Sequence, residues 1–240
     1  MSAFLHIAAY KFVALDDPAA LRERIVERAA ALELKGTVLL AEEGINLSLA
    51  GAPEALRPFL AWLRSDVRFA DLAVKESTCD APPFRRLRVK AKREIIRMND
   101  ASIRPQRGRA PAVDAATLAR WLDAGRDDAG RPVVTLDTRN AFEVDRGRIK
   151  GALDWRLERF SDFPQALAAN RAQLDGRTVV SYCTGGIRCE KAALLMRDAG
   201  IEHVLQLDGG ILGYFERAGG RHFEGECFVF DEREALSADS

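Results

Sequence analysis

The residue types able to do covalent chemistry gather in one short stretch, Cys183-Thr-Gly-Gly-Ile-Arg188, followed at once by Cys189. A thiol is a weak nucleophile until its anion is stabilised, because free cysteine titrates at about pH 8.5. This stretch has the parts to stabilise one. Gly185 and Gly186 allow a curled backbone with positive φ, so that successive N–H groups turn inward as an anion nest, and Arg188 adds a fixed positive charge. A helix beginning near Ile187 would aim the positive end of its dipole at the sulfur. Most free cysteines are small buried hydrophobes. One that ends a strand and precedes two glycines, an arginine and a helix start is instead expected to carry a reachable thiolate, or a persulfide built on it. Thr184, Gly185, Gly186, Ile187 and Arg188 form the loop around it. Cys189 has two readings, a resolving thiol that closes a disulfide with Cys183 or a side chain packed on the sheet.

The elements that must position this loop are legible on both sides of it. The apolar, β-prone run 178–182 predicts a strand delivering Cys183, and the helix after it turns Ala192, Leu195 and Met196 inward. Upstream, 113–122 predicts a capped helix, 133–136 and 151–154 strands, and 163–173 a helix; 204–208 follows as a last strand. Strands alternating with helices imply a parallel sheet covered on both faces. Ligands of such sheets bind past the carboxyl ends of the strands, where Cys183 and Asp137 both fall. Asp137 and Arg139 are expected to make a structural ion pair beneath the loop.

The first part of the chain has a different order. Residues 4–13 predict a strand, and a helix follows from Asp16 or Asp17 with Pro18 in its first turn and Leu21, Ile25, Ala29 and Leu32 on one face, ending near Lys35-Gly36. Residues 37–41 and 45–50 predict a hairpin, 53–64 a second helix and 72–77 another strand. The order βαββαβ, with both helices on one face of an antiparallel sheet, is the ferredoxin-like arrangement. A strand over 83–97 then alternates basic with apolar residues. Arg85, Arg86, Arg88, Lys90, Lys92 and Arg93 open a basic run that continues to Arg109. Such a run can neutralise nucleic-acid phosphates; its other reading is a solvated edge strand guarded by charge. The expected fold is therefore α/β: a ferredoxin-like α+β domain over 1–98, a linker over 99–111, a parallel-sheet α/β domain over 112–222 and a tail over 223–240.

Composition bounds the function classes. Basic and acidic residues balance at 36 each, so overall charge gives no support to nucleic-acid binding and that case rests on the local run. No apolar run reaches membrane-spanning length and no charged-then-apolar leader opens the chain, so a cytoplasmic protein without a membrane partner is expected. The four cysteines at 79, 183, 189 and 227 lack Cys-x-x-Cys spacing; free thiols and no metal site are expected.

The Cys183 loop resembles the active-site loop of rhodanese-like domains, whose pattern is Cys, two residues, Gly, one residue, Arg. Asp137-Thr-Arg139, Glu143, Gly147-Arg-Ile-Lys-Gly-Ala152 and Asp208-Gly-Gly-Ile-Leu-Gly-Tyr214 fall in the same order as that family's landmarks. The family often has Gly-His-Ile at 147–149 and Trp at 214. Cdc25-type phosphatases use a loop one residue longer, with Arg where Cys189 stands here, which argues against phosphatase chemistry. Ala41-Glu-Glu-Gly-Ile-Asn46, Phe84-Arg-Arg-Leu-Arg-Val-Lys90, Tyr182 to Lys191 and Gly225-Glu-Cys-Phe-Val-Phe-Asp231 are similar to the bacterial transfer-RNA uridine hydroxylases, over nearly the whole chain. That resemblance implies 5-hydroxylation of the wobble uridine (position 34) of tRNA with molecular oxygen as co-substrate and no metal or organic cofactor. It makes Cys183 the catalytic cysteine, carried as thiolate or persulfide, with Arg188 in its anion-holding loop. A sulfur donor protein is a further implied partner. Two rival readings use the same residues: a sulfurtransferase moving sulfane sulfur through Cys183, which leaves the basic run unexplained, and a non-catalytic RNA-binding or regulatory module.

Overall fold

The structure is a computed structural model that describes residues 4–231, 233 and 235–238. The chain divides into two compact units, Met1–Arg97 and Met98–Ser240.

The first unit is built from β1 (Phe4–Phe12), α1 (Pro18–Ala31), β2 (Lys35–Ala41), β3 (Gly44–Gly51), α2 (Pro53–Arg64), β4 (Lys75–Cys79) and β5 (Leu87–Ala91). Its sheet runs β4-β1-β3-β2-β5. The first four strands are mutually antiparallel, as a ferredoxin-like order requires, and β5 adds a fifth strand parallel to β2. The core follows from the patterns. Leu5, Ile7 and Ala9 alternate along β1, Leu21, Ile25 and Ala29 recur at helical spacing on α1, and Leu56, Phe59, Leu60 and Leu63 do so on α2; all are buried. Helix α1 stops earlier than expected. Glu33 takes a left-handed φ of 53° and the Leu34 N–H returns to the Ala29 carbonyl at 2.9 Å, closing the helix so that Lys35 and Gly36 already belong to β2. The strand expected over 83–97 is confined to 87–91.

The second unit comprises β6 (Ala112–Val113), α3 (Ala115–Ala124), β7 (Val133–Asp137), α4 (Ala141–Val144), β8 (Gly147–Ile149), β9 (Leu153–Asp154), α5 (Phe163–Asn170), β10 (Thr178–Tyr182), α6 (Ile187–Asp198), β11 (Val204–Leu207), α7 (Gly210–Ala218), β12 (Phe223–Gly225), β13 (Cys227–Phe228) and β14 (Ala235–Leu236). The sheet β6-β11-β10-β7-β9 is parallel throughout. Its central strand β10 is buried along its whole length, which is why 178–182 reads as a continuous apolar run. Helices pair α3 with α7 and α5 with α6. Asp114 caps α3 by accepting the Thr117 N–H at 2.9 Å.

Both segments expected to flank this domain are packed into it. Within 99–111, Ile103, Pro105 and Ala110 are buried, and the Gln206 amide donates to the Ala110 carbonyl at 3.1 Å, so the apolar side chains among its prolines tie the segment down. The tail contributes β12, which pairs with β8, and β13, which pairs with β14.

Candidate active site

Cys183 leaves β10 at its carboxyl end and lies in the turn before α6. Three sets of contacts shape that turn. The Gly186 N–H donates to the Cys183 Sγ at 3.1 Å. From α7, the Ile211 and Leu212 N–H groups donate to the carbonyls of Cys183 and Thr184 at 2.9 and 3.1 Å. Gly210 sits so close that a Cβ there would lie 2.4 Å from the Cys183 carbonyl oxygen and 2.8 Å from the Gly186 nitrogen, and its φ is +62°. The glycine in Asp208-Gly-Gly-Ile therefore lets α7 abut the cysteine loop. Of the two glycines in the loop, only Gly186, at φ 103°, takes the positive φ expected of both. Gly185 reaches its place without it.

Burial alone would push the Cys183 thiol up. The Cys189 thiol, the Arg188 guanidinium and the N–H groups of Arg188 and Gly186 outweigh it and bring the pKa down to about 5. Burial and the neighbouring anion push Cys189 the other way, so of the pair Cys183 holds the charge. Cys189 is also within 3.6 Å of the Thr138 hydroxyl. It is packed inside, the second of its two readings, and lies against the Cys183 sulfur. The expectation of a reachable sulfur is not met. Cys183 is 1% exposed. Its surroundings are nonetheless polar, because β10 delivers it among loop N–H groups and a guanidinium rather than into the apolar core.

The charges around the loop are paired and buried. Arg188 makes a bidentate pair with Glu143, Nη1 to Oε2 at 2.6 Å and Nη2 to Oε1 at 2.8 Å. Glu143 in turn accepts the Asn140 N–H at 3.0 Å at the start of α4. Beneath, Arg139 grips Asp137 through Nε at 2.9 Å and Nη2 at 2.6 Å, and the same Nη2 donates to the Gly147 carbonyl at 2.6 Å. Both side chains are 0% exposed, the structural ion pair expected of them. Sequence reasoning marked Glu143 only as a landmark. Its partner Arg188 lies 45 residues away and no local spacing joins them. Cys227, expected as a structural thiol outside the cysteine loop, lies in β13. Burial pushes its thiol up to about 12, while Arg139 and the Thr184 hydroxyl act to lower it, so β13 lies beside the loop. Cys79 lies in β4 of the first unit.

Arg85, Arg86, Arg88, Lys90, Lys92 and Arg93 are all exposed. On β5, Val89 is buried in the core while Arg88 and Lys90 alternate away from it. Beyond β5 the motif Ala41 to Asn46 has a structural task. The Glu43 carboxylate accepts the Ile95 N–H at 2.7 Å and the Asn46 amide donates to the Ile95 carbonyl at 3.3 Å, clamping the basic segment to the sheet. The later basic residues Arg104, Arg107 and Arg109 belong to the second unit, where with Arg197 and Asp198 they line a cavity of about 670 Å3. Among the described residues, no group of three or more His, Cys, Asp or Glu side chains is placed to hold a metal ion. No helix among them is long and apolar enough to cross a membrane.

Residues 4–95 match the model of the UPF0176 acylphosphatase like domain, and residues 114–217 that of the Rhodanese-like domain. The chain is thus a rhodanese-fold protein with a separate α+β domain before it. The solution structure of the rhodanese-like domain of an Anabaena protein is similar over 48% of this chain and 79% of its own, with 28% identity and a TM-score of 0.39. The tRNA uridine(34) hydroxylase of Variovorax paradoxus is 64% identical over 239 residues, 100% of this chain and 91% of that protein. That of Bordetella pertussis is 65% identical over 238 residues, 99% and 98% of the two chains. This chain belongs to the tRNA uridine(34) hydroxylase family.

Proposed function

We propose that this protein uses molecular oxygen to convert the wobble uridine of tRNA to 5-hydroxyuridine, with Cys183 as the reacting group. The observation that supports this reading is the Cys183 sulfur at a strand end, accepting the Gly186 N–H at 3.1 Å, in a chain alike over its full length to named hydroxylases of that nucleoside. A soft sulfur anion adding to C6 of the uracil ring moves electron density to C5, where oxygen is taken up. One oxygen atom remains on C5, and the other leaves as water, with two external thiols oxidised to a disulfide supplying the two electrons and two protons. Loss of the C5 proton expels the sulfur and restores the ring. A persulfide on Cys183 carries the reactive sulfur about 2 Å farther out, one S–S bond length, and so suits a cysteine that is itself buried. A sulfur donor protein would load it.

The exposed cations Arg85, Arg86, Arg88, Lys90, Lys92 and Arg93 provide the salt-dependent part of tRNA binding. A tRNA substrate places the enzyme in the cytoplasm. Sulfur transfer from a Cys183 persulfide would use the same loop, but it has no need of tRNA. Nucleoside mass spectrometry of tRNA from a deletion strain complemented with Cys183→Ser separates these readings: we expect no 5-hydroxyuridine, and a normal level refutes the role of Cys183. Absence of salt-dependent binding to unmodified tRNA by the wild-type protein would favour sulfur transfer.

A further inference from the structure

Three large apolar side chains are exposed among the described residues, Val67, Phe142 and Phe230, and two of them touch the same aromatic cluster. Phe142 is 48% and Phe230 63% exposed, and Phe228 stands between them. The ring centroids are 5.2 Å apart for Phe142 and Phe228, 5.1 Å for Phe228 and Phe230, and 6.3 Å for Phe142 and Phe230, with interplanar angles of 89°, 84° and 90°. Mutually perpendicular rings form a corner. Each edge-to-face contact covers one ring face where a stack would cover two, so ring faces stay open and a flat guest can lie on one ring with its edge toward another.

The location of this corner is informative. Phe142 precedes Glu143, the carboxylate that clasps Arg188 of the cysteine loop. Phe228 follows Cys227, whose thiol is within the influence of Thr184 in the same loop. Helix α4 and strand β13 pack together, and β8, which also packs on β13, carries the exposed Arg148. An exposed aromatic patch costs solubility and persists in native proteins where it meets a partner. Here it adjoins a thiolate loop and a cation, the combination that receives an unstacked base on a charged backbone.

We propose that Phe142, Phe228 and Phe230 form a stacking platform for the unstacked wobble base of the tRNA anticodon loop, holding the loop open beside Cys183. The inference rests on the proposed tRNA substrate and adds the residues that position it. Aromatic-to-base stacking tolerates any base but requires one, and an aliphatic side chain of similar area does not replace it. Phe142, Phe228 and Phe230 are thus positioning residues that act on binding.

The test uses the full-length protein and a synthetic anticodon stem-loop, with uridine or an abasic site at the wobble position. Phe142→Ala and Phe230→Ala are expected to weaken binding of the uridine stem-loop by about tenfold each, as loss of one stacking contact predicts. Binding of the abasic stem-loop should not change. Phe230→Trp should retain full affinity and show quenching of its fluorescence on binding, and Phe230→Leu should behave as Phe230→Ala. Unchanged affinity in the alanine variants, an equal loss for both RNAs, or full affinity in Phe230→Leu overturns the proposal. So does a self-association of the wild-type protein that Phe230→Ala abolishes, which would assign the corner to a second copy of this chain. Stacking with the expected pattern but no 5-hydroxyuridine from the wild-type protein would leave the platform standing and refute the hydroxylase reading alone.

Discussion

Arginine serves two opposite purposes in the two units of this protein. At the edge of the first sheet, Arg85, Arg86, Arg88 and Arg93 are exposed. In the second unit, Arg139 and Arg188 are buried, each held by a carboxylate in a two-point grip. Exposed arginines supply a field that is additive, screened by salt and tolerant of replacement. Buried ones are parts of a fixed frame: removing one leaves its partner charged, buried and alone. The first arrangement suits holding a polyanion of any sequence; the second suits holding one sulfur atom in one protonation state.

The comparison breaks first at Arg139. Arg139→Met leaves Asp137 unpaired where no water reaches and should destabilise the fold by about 3–5 kcal/mol, read from urea unfolding; a variant as stable as the wild type would deny the frame. Next is the pair Gly210→Ala and Gly185→Ala. The first sets a Cβ against the Cys183 carbonyl at a left-handed φ and should cost about 1–3 kcal/mol with loss of activity. The second meets nothing within 4 Å at an ordinary φ and should be tolerated. Equal effects at both glycines would mean that the contact with α7 does not shape the loop.

Proton linkage sharpens the contrast further. A thiol lowered from its ordinary value to about 5 contributes stability that is complete above the unfolded pKa and is lost as pH falls through the folded one. Wild-type stability relative to Cys183→Ala should therefore rise between about pH 5 and about pH 8.5. A flat difference would mean that Cys183 is not an anion in the fold. The smallest single effects belong to the exposed edge. Replacing one of Arg85, Arg86, Arg88, Lys90, Lys92 or Arg93 by Gln should leave the unfolding midpoint in place and lower the slope of log K for tRNA against log salt by about 0.7 to 0.9; replacing all six should sum these losses. An unchanged slope in the sixfold variant would remove tRNA from this surface.

Much of the fold was legible along the chain. Periodicity marked α1, α2, the strands of the first sheet and all of the second but β6, and the continuous apolar run at 178–182 announced a central parallel strand with Cys183 at its end. The end of α1 was misplaced because Glu33, not a glycine, takes the left-handed cap. The linker was misplaced because prolines and arginines masked Ile103 and Ala110, whose burial depends on partners in α6 and β11. In the site, Cys183, Arg188 and Cys189 are contiguous and could be read together, but Glu143, Gly210 and Cys227 come from other parts of the chain.

Sequence alone determined the βαββαβ order of the first unit, the place of Cys183 at the end of a buried strand and the basic character of the 85–93 segment, since each depends on residue type and short-range spacing. Tertiary structure decided that the sulfur is buried, that Glu143 takes the charge of Arg188, that α7 closes on the loop and that three phenylalanines meet beside it. Those outcomes depend on distances between residues far apart in the chain, and only packing sets such distances.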